Sequence, residues 1–175
     1  MKINYLLLII SGFYSSAYAV DVQVQINGAL LAQSCNVKSS DLTKNVIFDD
    51  INPSSFTTVG ATGDPKEVSI ALENCTGNVN QMSYMFSGNA DESNPNLLKI
   101  TGTSEGSSGN LASGLAIEIL DMNKKALPLN EKQSFNQVIT SSTYDFKFFL
   151  RYKSTSAKIS PGDASSLLYL DMYYE

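Results

Sequence analysis

Both ends of this 175-residue chain carry a one-sided apolar ribbon with strand periodicity, and each ribbon needs a sheet to lie in. Residues 20–30 alternate so that Val22, Val24, Ile26, Gly28 and Leu30 share a face. Residues 165–175 place Leu168, Leu170, Met172 and Tyr174 on one face. Side chains alternate with period two along a strand, so each run has one apolar side and one polar side. Such a ribbon joins its own sheet or the sheet of a second molecule.

The first nineteen residues read as a signal peptide rather than as fold. Lys2 supplies a short positive region, residues 6–10 an apolar core, and Ala17-Tyr18-Ala19 a small-x-small cleavage site before Val20. A short membrane anchor is the alternative. The apolar stretch is too short to span a bilayer, and no later stretch approaches the required length. The remaining 156 residues (175 less the first 19) suit one domain with its own core.

Charge and cysteine content narrow the possible partners. The chain carries net charge −5, which becomes −6 without Lys2. An acidic chain whose only basic pair is Lys124-Lys125 is unsuited to nucleic-acid binding by counterion release. Two cysteines, Cys35 and Cys75, in an exported chain read as one disulfide, with two free thiols as the alternative. Closing that loop is worth roughly 4 kcal/mol in the chain-entropy account. There is no histidine, which removes Cys/His zinc sites, and no cofactor site is expected.

Between the termini, short alternating segments recur between turn residues. Residues 66–73 alternate with Val68, Ile70 and Leu72 on one face. Met82, Tyr84 and Phe86 share a face, as do Leu115, Ile117 and Ile119. In residues 144–152, Tyr144, Phe146, Phe148, Leu150 and Tyr152 alternate with mostly polar neighbours, and Phe149 breaks the polar face. Residues 46–48 form a brief apolar run, and residues 97–100 a short strand within a stretch rich in Gly, Ser and Asn. A short turn is expected in residues 52–62, with Pro53 near its start. No long stretch has a 3.6-residue period, so the pattern predicts an all-β sandwich.

An ordered set of motifs resembles the pilin subunits of the chaperone–usher fimbriae of Gram-negative bacteria, the type 1 fimbrial family. After the signal peptide comes Asp21-Val22-Gln23-Val24-Gln25-Ile26-Asn27-Gly28, an alternating arm. Ser34-Cys35-Asn36-Val37 resembles the first-cysteine motif, and Val68-Ser69-Ile70-Ala71-Leu72-Glu73-Asn74-Cys75 the second-cysteine strand. Phe86-Ser87-Gly88-Asn89-Ala90-Asp91 and Ala112-Ser113-Gly114-Leu115-Ala116-Ile117-Glu118-Ile119-Leu120-Asp121 follow, and Tyr174 is the penultimate residue. The set spans essentially the whole mature chain.

The resemblance implies an incomplete immunoglobulin-like β-sandwich that lacks its last strand and is completed by a donor strand from another subunit. It divides the chain into a signal peptide (1–19), a donor-strand extension (20–33) and a pilin domain (34–175). Val22, Val24, Ile26, Gly28 and Leu30 become the inward residues of the donor arm. Leu168, Leu170, Met172 and Tyr174 become the acceptor groove and the contact for a periplasmic pilus chaperone. An outer-membrane usher and neighbouring pilin subunits are the other implied partners, and a cell-surface fimbrium is the destination. Gly28 keeps a second reading, as a hinge in the Asn27-Gly28 pair.

Among fimbrial roles, the arm and residues 112–121 look most like a minor subunit linking adhesin to rod, with a major rod pilin as the near alternative. From another class stands a secreted carbohydrate-binding β-sandwich domain, with the nine tyrosines as possible ligand contacts. Enzymatic readings carry little. Gly102-Thr103-Ser104-Glu105-Gly106 fits a nucleophile-elbow pattern, but it lies among small polar residues in a chain without histidine. The adjacent acids Asp49-Asp50 and Asp91-Glu92 read as solvated loop residues, with no spaced calcium-loop pattern.

Overall fold

The alternating runs at 66–73 and 144–152 lie in the two longest strands among the described residues. A computed structural model describes residues 33–48, 52–102 and 111–174, which belong to one compact unit, Leu31–Glu175. The strands are β1 (Ser34–Val37), β2 (Lys66–Thr76), β3 (Met82–Ser87), β4 (Leu98–Lys99), β5 (Leu115–Leu120), β6 (Ala126–Leu127), β7 (Lys132–Phe135), β8 (Thr143–Ser154) and β9 (Tyr169–Tyr174). One sheet has the order β1-β2-β8-β5-β4, with β6 also paired to β5; the second has the order β7-β3-β9. Every strand pair is antiparallel.

The expected signal peptide (1–19), and the arm residues Val22, Val24, Ile26, Gly28 and Leu30, lie outside the described residues, as do Asp49-Asp50 and residues 103–106 of the rejected elbow motif. Among the described residues, no helix is long and apolar enough to cross a membrane.

Alternation delivers the core. Val68, Ile70 and Leu72 of β2, Met82, Tyr84 and Phe86 of β3, and Phe146, Phe148, Leu150 and Tyr152 of β8 are all buried in one cluster. Aromatic rings join the two sheets: Tyr84 meets Phe146 at 5.0 Å between centroids, and Phe86 meets Phe148 at 4.8 Å. Each such pair adds about 1 kcal/mol beyond the area it buries.

Three local expectations change. β5 buries all six residues rather than only Leu115, Ile117 and Ile119; its second face carries Ala116, Glu118 and Leu120, with Glu118 paired to Arg151 and Lys153 of β8. The short strand expected at 97–100 narrows to β4. The last ribbon is strand only over β9, so Leu168 lies just before it. Phe149 breaks the polar face as expected, and the Lys124 ammonium lies 2.8 Å above its ring centroid. The turn in 52–62 is a 3-10 turn, Pro53–Ser55, where the Asn52 carboxamide oxygen accepts from the Ser54 N–H at 3.0 Å.

Candidate strand-acceptor site

A sheet edge is a row of backbone donors and acceptors awaiting a partner, so the fate of each edge shows where a strand can be added. β4 is covered by residues 89–91, where the Lys99 N–H donates to the Asn89 carbonyl at 2.8 Å, and by the connection from β8 to β9. The Ser165 carbonyl accepts from the Thr101 N–H at 3.1 Å, the Asp163 carbonyl from the Ala112 N–H at 2.9 Å, and the Lys99 carbonyl from the Ser166 hydroxyl at 2.6 Å. β7 is four residues long with Lys132 and Ser134 exposed, a short polar edge. β1 is also four residues long, and the Cys35–Cys75 disulfide pins it to β2 as the cysteine count predicted.

β9 differs from these edges. It pairs with β3 along its full length, from Ser87↔Tyr169 to Met82↔Tyr174, and among the described residues no strand lies on its other side. Its six residues alternate strictly. Leu170, Met172 and Tyr174 are half-buried and pack against the core, whereas Tyr169, Asp171 and Tyr173 face solvent. Leu168 packs against the same core. The four residues expected to line a groove are therefore brought together on the inner side of an edge strand, each only partly covered.

Two further contacts lie at the boundary of the core. Tyr174 receives a hydrogen bond from the Cys35 backbone; burial raises its phenol pKa, and that bond opposes the rise. Val46 and Phe48 are also half-buried against the core, with the Phe48 ring 4.7 Å from that of Tyr152. The apolar run at 46–48 was the only sequence signal for this fringe.

A charge cluster across β5 and β8 had no such signal. Glu118 is 4% exposed, its Oε2 is 2.6 Å from Arg151 Nη2, and its Oε1 is 2.6 Å from Lys153 Nζ. Burial pushes its carboxyl pKa up, but hydrogen bonds from Lys153 and Arg151 outweigh burial and hold it below the usual value. The loop acids have structural partners: Asp91 Oδ1 accepts from the Ser93 N–H at 2.9 Å, and Glu92 pairs with Lys99 at 2.6 Å. No group of three or more acidic or cysteine side chains gathers as a metal site among the described residues. The arrangement suits backbone pairing with an added strand, with alternate side chains entering the half-covered inner face.

Comparison with known proteins gives the same class. The profile of the family described as Fimbrial protein matches residues 23–175. The Escherichia coli K12 fimbrial-like protein YcbU is 33% identical over 155 residues, covering 88% of this chain and 84% of that protein. The fimbrial subunit type 1 of Salmonella typhimurium is 32% identical over 154 residues, covering 87% of this chain and 82% of its own. The fold resembles the crystal structure of the P pilus rod subunit PapA, with a TM-score of 0.62 at 17% identity over 81% of this chain and 99% of that one. The chain belongs to the fimbrial protein family and is a structural fimbrial subunit with an immunoglobulin-like all-β fold.

Proposed function

We propose that this subunit is exported by its signal peptide (1–19) and assembled on the chaperone–usher route by donor-strand exchange. The observation that carries this reading is the contrast between edges: β9 is six residues long, half-covered and unpaired on one side among the described residues, while β4 is covered and β1 and β7 are short. In this reading a periplasmic chaperone first pairs with β9 of the pilin domain (34–175). At the outer-membrane usher, the arm of the next subunit replaces it over Leu168, Leu170, Met172 and Tyr174. The chain's own arm (20–33) inserts Val22, Val24, Ile26, Gly28 and Leu30 into the preceding subunit, with Gly28 at a shallow part of that groove. The role is structural rather than catalytic, at the cell surface.

Within the fibre we assign it to a minor position linking adhesin to rod, on the likeness of its arm and of residues 112–121 to such subunits. A rod-forming role is the second reading, favoured by the fold's likeness to a P pilus rod subunit.

Thermal unfolding of a fragment spanning 35–175, with and without peptides of residues 20–31 and of neighbouring subunits' arms, tests the mechanism. A body unstable alone and sharply stabilised by one peptide supports it. A body that unfolds cooperatively at high temperature, indifferent to every peptide, is a complete sandwich and returns the carbohydrate-binding reading. Counting this subunit along isolated fibres separates a few copies near the tip from many along the rod.

A further inference from the structure

β9 is not the only length of edge in this sandwich without a strand beside it. β1 pairs with β2 only from Ser34↔Thr76 to Val37↔Leu72. Beyond Leu72 the chain leaves the sheet: the Lys38 N–H donates to the Ala71 carbonyl at 2.9 Å, and a 3-10 turn, Ser39–Asp41, follows. The edge from Lys66 to Ala71 is then met by side chains. Asp41 Oδ2 accepts from the Ala71 N–H at 2.8 Å, and Lys44 Nζ donates to the Ser69 carbonyl at 2.6 Å. Asp41 Oδ1 and Lys44 Nζ are 3.2 Å apart, which couples the two. Further along, Lys66 reaches the Ile47 carbonyl.

We infer that Asp41 and Lys44 form a latch that closes this second edge and restricts strand addition to β9. The inference rests on the donor-strand reading above. The carboxylate stands where a partner strand would place a carbonyl, and the ammonium stands where it would place an N–H. A covering strand would offer its own outer ladder and move the exposed edge one strand outward; side chains satisfy β2 without creating a new ladder.

The surroundings show what the latch guards. An open depression of about 390 Å³ remains between residues 44–47 and 66–69, so packing alone does not seal the edge. Ile47, which lines it, is 76% exposed, and Leu42, next to Asp41 in the chain, is 71% exposed. An unlatched β2 would combine free backbone groups with exposed aliphatic side chains, the combination that recruits a stray strand. A subunit made to accept apolar strands meets that hazard at every copy of the arm.

The test compares the full exported chain with its Asp41→Ala/Lys44→Ala variant, both purified from the periplasm with the disulfide formed. Three quantities are read: exchange of the Ala71 amide, the number of labelled 20–31 peptides bound per chain, and the sedimenting fraction. The latch predicts exchange about tenfold faster at Ala71, as expected for loss of one charge-assisted hydrogen bond. It also predicts a second bound peptide or self-association through the freed edge, and retention of the parent behaviour in Lys44→Arg. Unchanged exchange overturns the latch, and so does faster exchange with neither a second peptide nor sedimentation. If the parent chain binds no peptide, the donor-strand reading fails, while Ala71 exchange and sedimentation still decide the latch. If the double variant does not fold, Lys44→Met, which keeps the Asp41 bond, is read by the same second-peptide and sedimentation criteria.

Discussion

The Tyr174 phenol takes a hydrogen bond from the Cys35 backbone, so the last strand of the chain is tied to the first beside the disulfide. Tyr174→Phe keeps the half-buried ring and removes the acceptor. It should cost about 1 kcal/mol, the net value of one such bond, read as a lower urea midpoint at unchanged slope. An unchanged midpoint would show that this tie contributes nothing to holding β9 in place.

The disulfide closes a loop of 40 residues between Cys35 and Cys75. Replacing both cysteines with alanine should lower unfolding free energy by about 4 kcal/mol. Urea unfolding of the variant beside the oxidised and reduced parent checks this. Near-equal stability of all three would place the β1–β2 hydrogen bonds, rather than the bridge, in charge of that edge.

Glu118 sets an acid limit. Its folded-state pKa lies below the usual glutamate value, so its contribution is present above that usual value and is lost as pH falls through the lowered one. Glu118→Gln should cost about 3 kcal/mol at neutral pH, the lower end for a buried pair, since Arg151 and Lys153 retain access to water. The variant should also lose less stability than the parent on acidification below pH 4.5. Parallel pH profiles of parent and variant would sink this account.

What could be read from the sequence and what could not divide on one physical ground. Val68, Ile70, Leu72, Phe146, Phe148 and Leu150 announce themselves because period-two burial is written along a single strand. So does the inner face of β9. Glu118 does not, because its partners lie 33 and 35 residues away on β8 and only the register Glu118↔Arg151 brings them together. Asp41 and Lys44 read as loop charges until β2 is seen to lack a strand beside Ser69 and Ala71. Val79 and Ile139 are buried as an isolated bridge pair, too short for any periodicity to reveal.

Gly114 holds the β8–β9 connection against β5. Its φ is +78°, and a Cβ there would sit 2.5 Å from the Lys158 carbonyl oxygen, a backbone atom that cannot swing aside. Its carbonyl also accepts from the Thr155 N–H at 2.8 Å. Gly114→Ala should therefore cost at least about 2 kcal/mol and expose residues 156–160 to faster amide exchange. A loss below about 0.5 kcal/mol, within the range of ordinary surface changes, would show that the connection yields freely.

The two faces of β9 make opposite predictions for assembly. Leu170 stands across from the fully buried Phe86 and is itself only half-covered. In the proposed fibre an incoming strand completes that burial, so Leu170→Ser removes apolar area that counts mainly after strand addition. Roughly 2 kcal/mol of lost burial corresponds to about thirtyfold weaker binding of the donor peptide. Tyr169 is 57% exposed on the other face, and its neighbour in register is Ser87. Tyr169→Ser should shift peptide binding by less than about threefold while leaving the same backbone edge in place. Isothermal titration of both variants with the stabilising peptide decides the matter. Equal losses would mean that the inner face does not form the groove, and a larger loss at Tyr169 would turn the acceptor surface to the solvent side of the sheet.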